Sequence, residues 1–199
     1  MTDSTRDTPA LLIIDMVKDN LDPANHFPIT SLARRIIDPI NCLTAVFHEQ
    51  GWPVIFSTDD YHPEDFIFSE RMPPHSISGT RGAEIIDELD RREDDLWLPK
   101  PRFSAFFGTD LDQRLRKMGV TLCAVTGIAT HFCVITTAMD ALCHDFKAVL
   151  VEDATTSFSE KIHEKTLAIY RRNPLYPLLK VASSESMLEM LGVAPTQPD

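Results

Sequence analysis

The chain has 199 residues, 43% of them hydrophobic, with 30 acidic and 19 basic side chains and a formal charge of −11. That length favours a single domain with a sizeable core, and the acidic balance argues against nucleic acid as a partner. No apolar run reaches the ~20 residues of a membrane span and Met1 to Pro9 lacks the apolar stretch of a signal peptide, so the expectation is a cytoplasmic protein with no membrane partner.

Ala10-Leu-Leu-Ile-Ile-Asp15 reads as a buried strand that ends in a charge. Residues 31–50 carry helical spacing (Leu32, Ile36, Ile40, Leu43, Val46, Phe47), with Gly51 as the stop. Pro53 to Thr58 is a second strand, followed by a polar, proline-bearing stretch over 59–82. Ala83 to Leu89 is expected to form a short helix and Asp95 to Pro99 a strand. Thr109 to Met118 has an acidic start, basic residues near its end and Gly119 after it, which suits a capped helix. Thr121 to Gly127 is another apolar strand, and 131–144 a helix with Val134, Ala138, Ala141 and Leu142 on its buried side. Strands over 147–151 and 177–181 alternate with helices over 159–171 and 184–191. This alternation predicts an α/β fold, a parallel sheet with helices on both faces. A single domain over 1–199 is expected, flexible only at 1–8 and 195–199.

In such folds ligands bind outside the carboxyl ends of the strands. Asp15 ends the first strand, Asp59, Asp60 and His62 follow the second, Lys100 follows the strand near Trp97, and Gly127 to Cys133 follow the strand at Val125. Cys42, Cys123, Cys133 and Cys143 form no CxxC pair, so they read as free thiols in a reducing compartment. Cys133 differs from the others by opening a predicted helix. There the partial positive charge and unpaired N–H groups lower a thiol pKa and can hold an oxyanion. Each residue also admits a plainer reading: a packed cysteine, a solvated strand-end aspartate, a loop lysine. Their joint placement at strand ends favours the catalytic one.

Three stretches carry a resemblance to the isochorismatase-like cysteine hydrolase superfamily, in its nicotinamidase and N-carbamoylsarcosine-amidase-like branch. They are Leu-Leu-Ile-Ile-Asp15-Met-Val, then Lys100-Pro-Arg-Phe-Ser-Ala-Phe-Phe-Gly-Thr109, and Thr126-Gly-Ile-Ala-Thr-His-Phe-Cys133-Val. The resemblance spans about 10–182. It implies a three-layer α/β/α fold with a six-stranded, mostly parallel sheet, and a homodimer or homotetramer. It also implies an Asp15–Lys100–Cys133 triad and a cis peptide at Ile128–Ala129. Retention of Cys133 points to C–N hydrolysis, since relatives that cleave the vinyl ether of isochorismate generally lack the cysteine. The expected reaction is thiolate attack on a small amide, nicotinamide-like or N-carbamoyl, through a thioester, with backbone N–H groups near Ala129 and Cys133 holding the oxyanion.

Asp60-Tyr-His62 and His75 offer one carboxylate and two imidazoles, a ligand set for zinc or iron with open positions. They match in order the nicotinamidase pattern of metal ligands, which implies Zn2+ (or Fe or Mn) and no nucleotide or organic cofactor; the plainer alternative is three loop residues that only hydrogen-bond, and the His75-x-x-x-Gly-Thr-x-Gly-Ala stretch also resembles N-carbamoylsarcosine amidases, which do not all require a metal. The segment between His62 and His75 departs from that pattern: it is short, and Phe66 and Phe68 stand where some nicotinamidases carry a further histidine. Phe27, Phe103 and Phe106 are candidates to line a pocket for a flat ring, with His131 at its rim, although core packing is the commoner use of Phe. Two other classes compete: another small-molecule hydrolysis of isochorismatase type, and a binding or scaffold protein that kept the fold. A thiol redox role lacks a resolving cysteine near Cys133 in sequence.

Overall fold

The structure is a computed structural model and describes residues 7–193. Six strands form one parallel sheet: β1 (Pro9–Ile14), β2 (Val54–Asp59), β3 (Leu96–Lys100), β4 (Leu122–Ile128), β5 (Lys147–Thr156) and β6 (Leu179–Ala182), in the order β3-β2-β1-β4-β5-β6. The helices are α1 (Lys18–Leu21), α2 (Thr30–Arg35), α3 (Ile37–Gln50), α4 (Leu111–Lys117), α5 (Ile135–Cys143), α6 (Glu160–Arg171) and α7 (Ser184–Met190).

β1 is buried along its whole length, as a central strand covered on both faces must be. Its alternate residues feed two cores. Leu11 and Ile13 pack with residues of α1, α2, α3 and α7, among them Leu21, Ala33, Ile40, Phe47 and Met187. Ala10, Leu12 and Ile14 pack with Leu111 and Leu115 of α4, Ala138 of α5 and Leu167 of α6. Helices therefore cover both faces, giving the expected three layers. Each fully buried Leu, Ile or Phe of these layers is worth about 1.5–3 kcal/mol against exposure.

Three local expectations change. The helix expected over 31–50 is two helices broken at Ile36, because Pro39 cannot donate to the carbonyl four residues back and fits only within the first turn of a new helix. No helix forms over 83–89; a 3-10 turn at Arg81–Ala83 is followed by an extended link in which Ile85 bridges Val17. Its helix-like apolar spacing instead serves docking, with Ile86 and Leu89 buried in the core. Of the ends expected to be flexible, 1–6 and 195–199 lie outside the described residues. Asp7 and Thr8 are held: Thr8 N–H donates to Thr121 Oγ1 at 3.0 Å, and Asp7 pairs with Lys147 at 2.8 Å.

The strand order reverses its direction of growth between β1 and β4, the position where such sheets open a crevice at their carboxyl ends. Register brings the chemistry there. Ile14 lies beside Ser57 on one side and Gly127 on the other, and Asp59 pairs directly with Lys100. Gly127 is obligatory: at φ +90° any Cβ would sit 2.2 Å from the Ile14 carbonyl oxygen.

Candidate active site

Asp15 leaves β1 with φ 53°, a left-handed conformation that Asp tolerates better than most residues. Its backbone is pinned by its own N–H donating to Ser57 O (2.9 Å) and by its carbonyl accepting from Asn20 Nδ2 (3.0 Å). Asp59 N–H donates to Asp15 Oδ1 at 2.8 Å. Lys100 lies 2.9 Å from Asp15 Oδ2 and also hydrogen-bonds Asp59 Oδ1. Asp15, Asp59 and Lys100 are 2%, 5% and 0% exposed, so one ammonium bridges two buried carboxylates.

Cys133 enters from the far side of the switch point. β4 ends at Ile128, the Ile128–Ala129 peptide is cis, and residues Thr130–Val134 form a π-helical turn before α5. Thr130 Oγ1 donates to Thr156 O at 2.8 Å and ties this turn to the end of β5. The Cys133 sulfur and a carboxylate oxygen each of Asp15 and Asp59 all lie within 4.8 Å of one another, so the thiol faces the Asp15 carboxylate.

The electrostatics differ from the sequence expectation of a thiolate. Burial, reinforced by the Asp15 carboxylate, pushes the Cys133 thiol well above its ordinary value, against the opposing pull of Lys100. The helix-end effect is outweighed because the sulfur is enclosed and faces an acceptor. Burial and then the Asp59 charge push Asp15 up to about 7, while Lys100 and the nearby Cys133 thiol pull it down. Burial opposes the charge on Lys100, but Asp15 and Asp59 prevail and hold its ammonium well above the lysine range. The resting arrangement is thus a neutral thiol beside a carboxylate tuned close to neutrality, with a permanent cation behind it. Such a carboxylate suits general-base work near neutral pH. Of the other thiols, Cys123 is buried and pushed up to about 12, and Cys42 and Cys143 are exposed away from the crevice.

Asp15, Asp59 and Cys133 open into a cavity of about 350 Å³, whose apolar walls come from Ile29, Phe103, Phe132 and Phe158, with Tyr61 and His75 beside them. Of the four pocket residues expected, only Phe103 lines it. Phe106 is a core residue stacked on His144, and Phe27 packs edge-on to His75. His131 turns away to hydrogen-bond Ser157 Oγ and backs the rings of Phe132 and Phe158. The expected metal trio is not assembled. Asp60 follows Asp59 on an extended segment, so its side chain leaves the face that meets Lys100. His62 is exposed, and His75 Nδ1 is engaged by Pro73 O at 2.9 Å. Among the described residues the group able to hold a metal is instead Asp15, Asp59 and Cys133. Its two carboxylates share the Lys100 ammonium.

Comparison with known proteins follows this geometry. The profile of the isochorismatase domain matches residues 9–183. An isochorismatase family protein of Bacillus subtilis (strain 168) is 31% identical over 172 residues, covering 80% of this chain and 92% of that protein. The structure of N-carbamoylsarcosine amidase from Thermoplasma acidophilum superposes with a TM-score of 0.75 at 29% identity, covering 89% of this chain and 97% of the other. Pyrazinamidase of Pyrococcus horikoshii, solved in complex with zinc, gives a TM-score of 0.75 at 28% identity, covering 88% and 99%.

Proposed function

The chain belongs to the isochorismatase family of hydrolases, and from that premise we propose that it is a cysteine-dependent amidohydrolase acting on the C–N bond of a small amide. The observation that carries this reading is the thiol of Cys133 within 4.8 Å of a buried carboxylate, itself paired with Lys100, in the wall of a cavity. Similarity to an amidase and a pyrazinamidase supports it.

In the proposed reaction Asp15 takes the thiol proton as Sγ attacks the amide carbonyl carbon. Transfer and attack occur together, because a free thiolate is disfavoured in this enclosure. Backbone N–H groups of Ala129 and Cys133 receive the oxyanion. The C–N bond breaks as Asp15 returns the proton to nitrogen, and ammonia or an amine departs. Water then attacks the thioester, giving its proton to Asp15, and the carbonyl leaves as a carboxylic acid with Cys133 restored. Lys100 stays charged throughout and steadies Asp15 as its protonation alternates. The ring-lined walls admit a nicotinamide-like ring or an N-carbamoyl compound.

The test is ammonia release from nicotinamide, pyrazinamide and N-carbamoyl amines by the wild type and by Cys133→Ala. Release by the wild type, reduced at least about 10³-fold in the variant, supports the reading. Full activity of Cys133→Ala sinks it.

A further inference from the structure

We infer that Arg71 selects and orients substrates carrying a carboxylate, so that the natural substrate is an amide bearing an acid group distal to the scissile bond. This rests on the amidohydrolase reading and adds to it the class of substrate.

Charge inside the cavity is unevenly placed. Asp15 and Asp59 stand beside Cys133, and Lys100, wholly buried behind them, does not reach the cavity wall. Among the described residues Arg71 is the one lysine or arginine that lines the cavity; it is exposed and comes from the loop between β2 and β3. It forms no ion pair among the described residues, whereas Arg102, close to the same loop, is held by Asp65 at 3.1 Å. The rest of the wall is mainly aromatic and aliphatic, so a ligand charge entering there finds one cationic partner. A guanidinium meets a carboxylate through two parallel N–H donors, a planar match that lysine lacks.

The same charges fix direction. A substrate entering acid end first would bring its carboxylate against Asp15 and Asp59. Turned about, its neutral amide reaches Cys133 and its carboxylate reaches Arg71. The arrangement rewards a molecule charged at one end, and a neutral aromatic amide makes no use of it.

The experiment separates binding from turnover. Affinities are measured by calorimetry in Cys133→Ala, with and without Arg71→Gln and Arg71→Lys, for matched acids and uncharged methyl esters: N-carbamoylglycine, N-carbamoyl-β-alanine and a carboxylated pyrazinamide. At least one acid is expected to bind about tenfold to a hundredfold more tightly than its ester. Arg71→Gln should abolish that preference and Arg71→Lys should restore part of it. Equal affinity for acid and ester in every pair, or a preference indifferent to Arg71→Gln, overturns the inference. Arg71-dependent binding of acids without ammonia release by the wild type would instead overturn the amidase reading alone. Ammonia release from neutral amides with no acid preference would do the reverse.

Discussion

Lys100→Met should be the most informative single change to the buried charge cluster. The ammonium sits at 0% exposure and is shared by Asp15 and Asp59, both nearly inaccessible. Methionine nearly matches its volume, so the loss is one of charge rather than packing. Removing one partner of a buried pair costs about 3–5 kcal/mol because the remaining charge is left uncompensated. With a urea m-value of about 2 kcal/mol/M, the unfolding midpoint should fall by about 1.5–2.5 M at pH 8. The penalty must depend on pH in a defined direction. Asp15 is already raised to about 7 in the fold, and Lys100 is among the groups that lower it, so the variant raises it further. A group whose folded pKa exceeds its unfolded value contributes stability at low pH that is lost as pH rises through the folded value. The difference between variant and wild type should therefore shrink markedly at pH 5.5, where Asp15 can be neutral. Urea unfolding at the two pH values measures it. An equal penalty at both, or one below about 1 kcal/mol, would refute the picture of a cation neutralising two buried carboxylates.

Asp15 must be ionised to accept the thiol proton, so kcat/KM for amide hydrolysis should fall about tenfold per unit as pH drops below about 7. In Asp59→Asn that acid limb should move to lower pH, because the Asp59 charge is a cause of the Asp15 shift; a limb moving upward would contradict the assignment. Gly127→Ala should destabilise the fold by more than about 3 kcal/mol in urea titrations, since its Cβ would overlap the Ile14 backbone at 2.2 Å. His62→Gln should change kcat/KM by less than about twofold, because His62 does not line the cavity. A loss above tenfold that added zinc restores would reinstate Asp60, His62 and His75 as a metal site.

The parts of the site visible in the sequence were those decided by strand ends and residue type. The rule that parallel sheets bind ligands at their carboxyl ends brings Asp15, Lys100 and Cys133 to the crevice together with Asp59, Asp60 and His62; that the first three form a triad is what the family resemblance implies. The sequence puts Asp59 at the crevice without a role, for a reason of one residue: its pattern ends β2 at Thr58, whereas the strand runs to Asp59, and pairing with Lys100 decides which of two adjacent aspartates faces the site. Because side chains alternate along a strand, that single step separates Asp59 from Asp60. Phe132 and Phe158 carry no sequence signal as cavity residues, because π-turn geometry and the end of a β5 longer than its apolar run set their direction. The thiol's neutrality was not legible either. A helix start is visible in sequence, whereas enclosure of the sulfur and its contact with Asp15 arise only from tertiary packing.

The central claim is that Cys133 forms a covalent acyl intermediate. Its most direct measurement is intact-mass and peptide analysis of enzyme acid-quenched during turnover of an amide substrate. The account predicts an adduct equal in mass to the acyl group, on the peptide holding Cys133 and absent from Cys133→Ala. Amide turnover with no such adduct, at levels retained in Cys133→Ala, would contradict it.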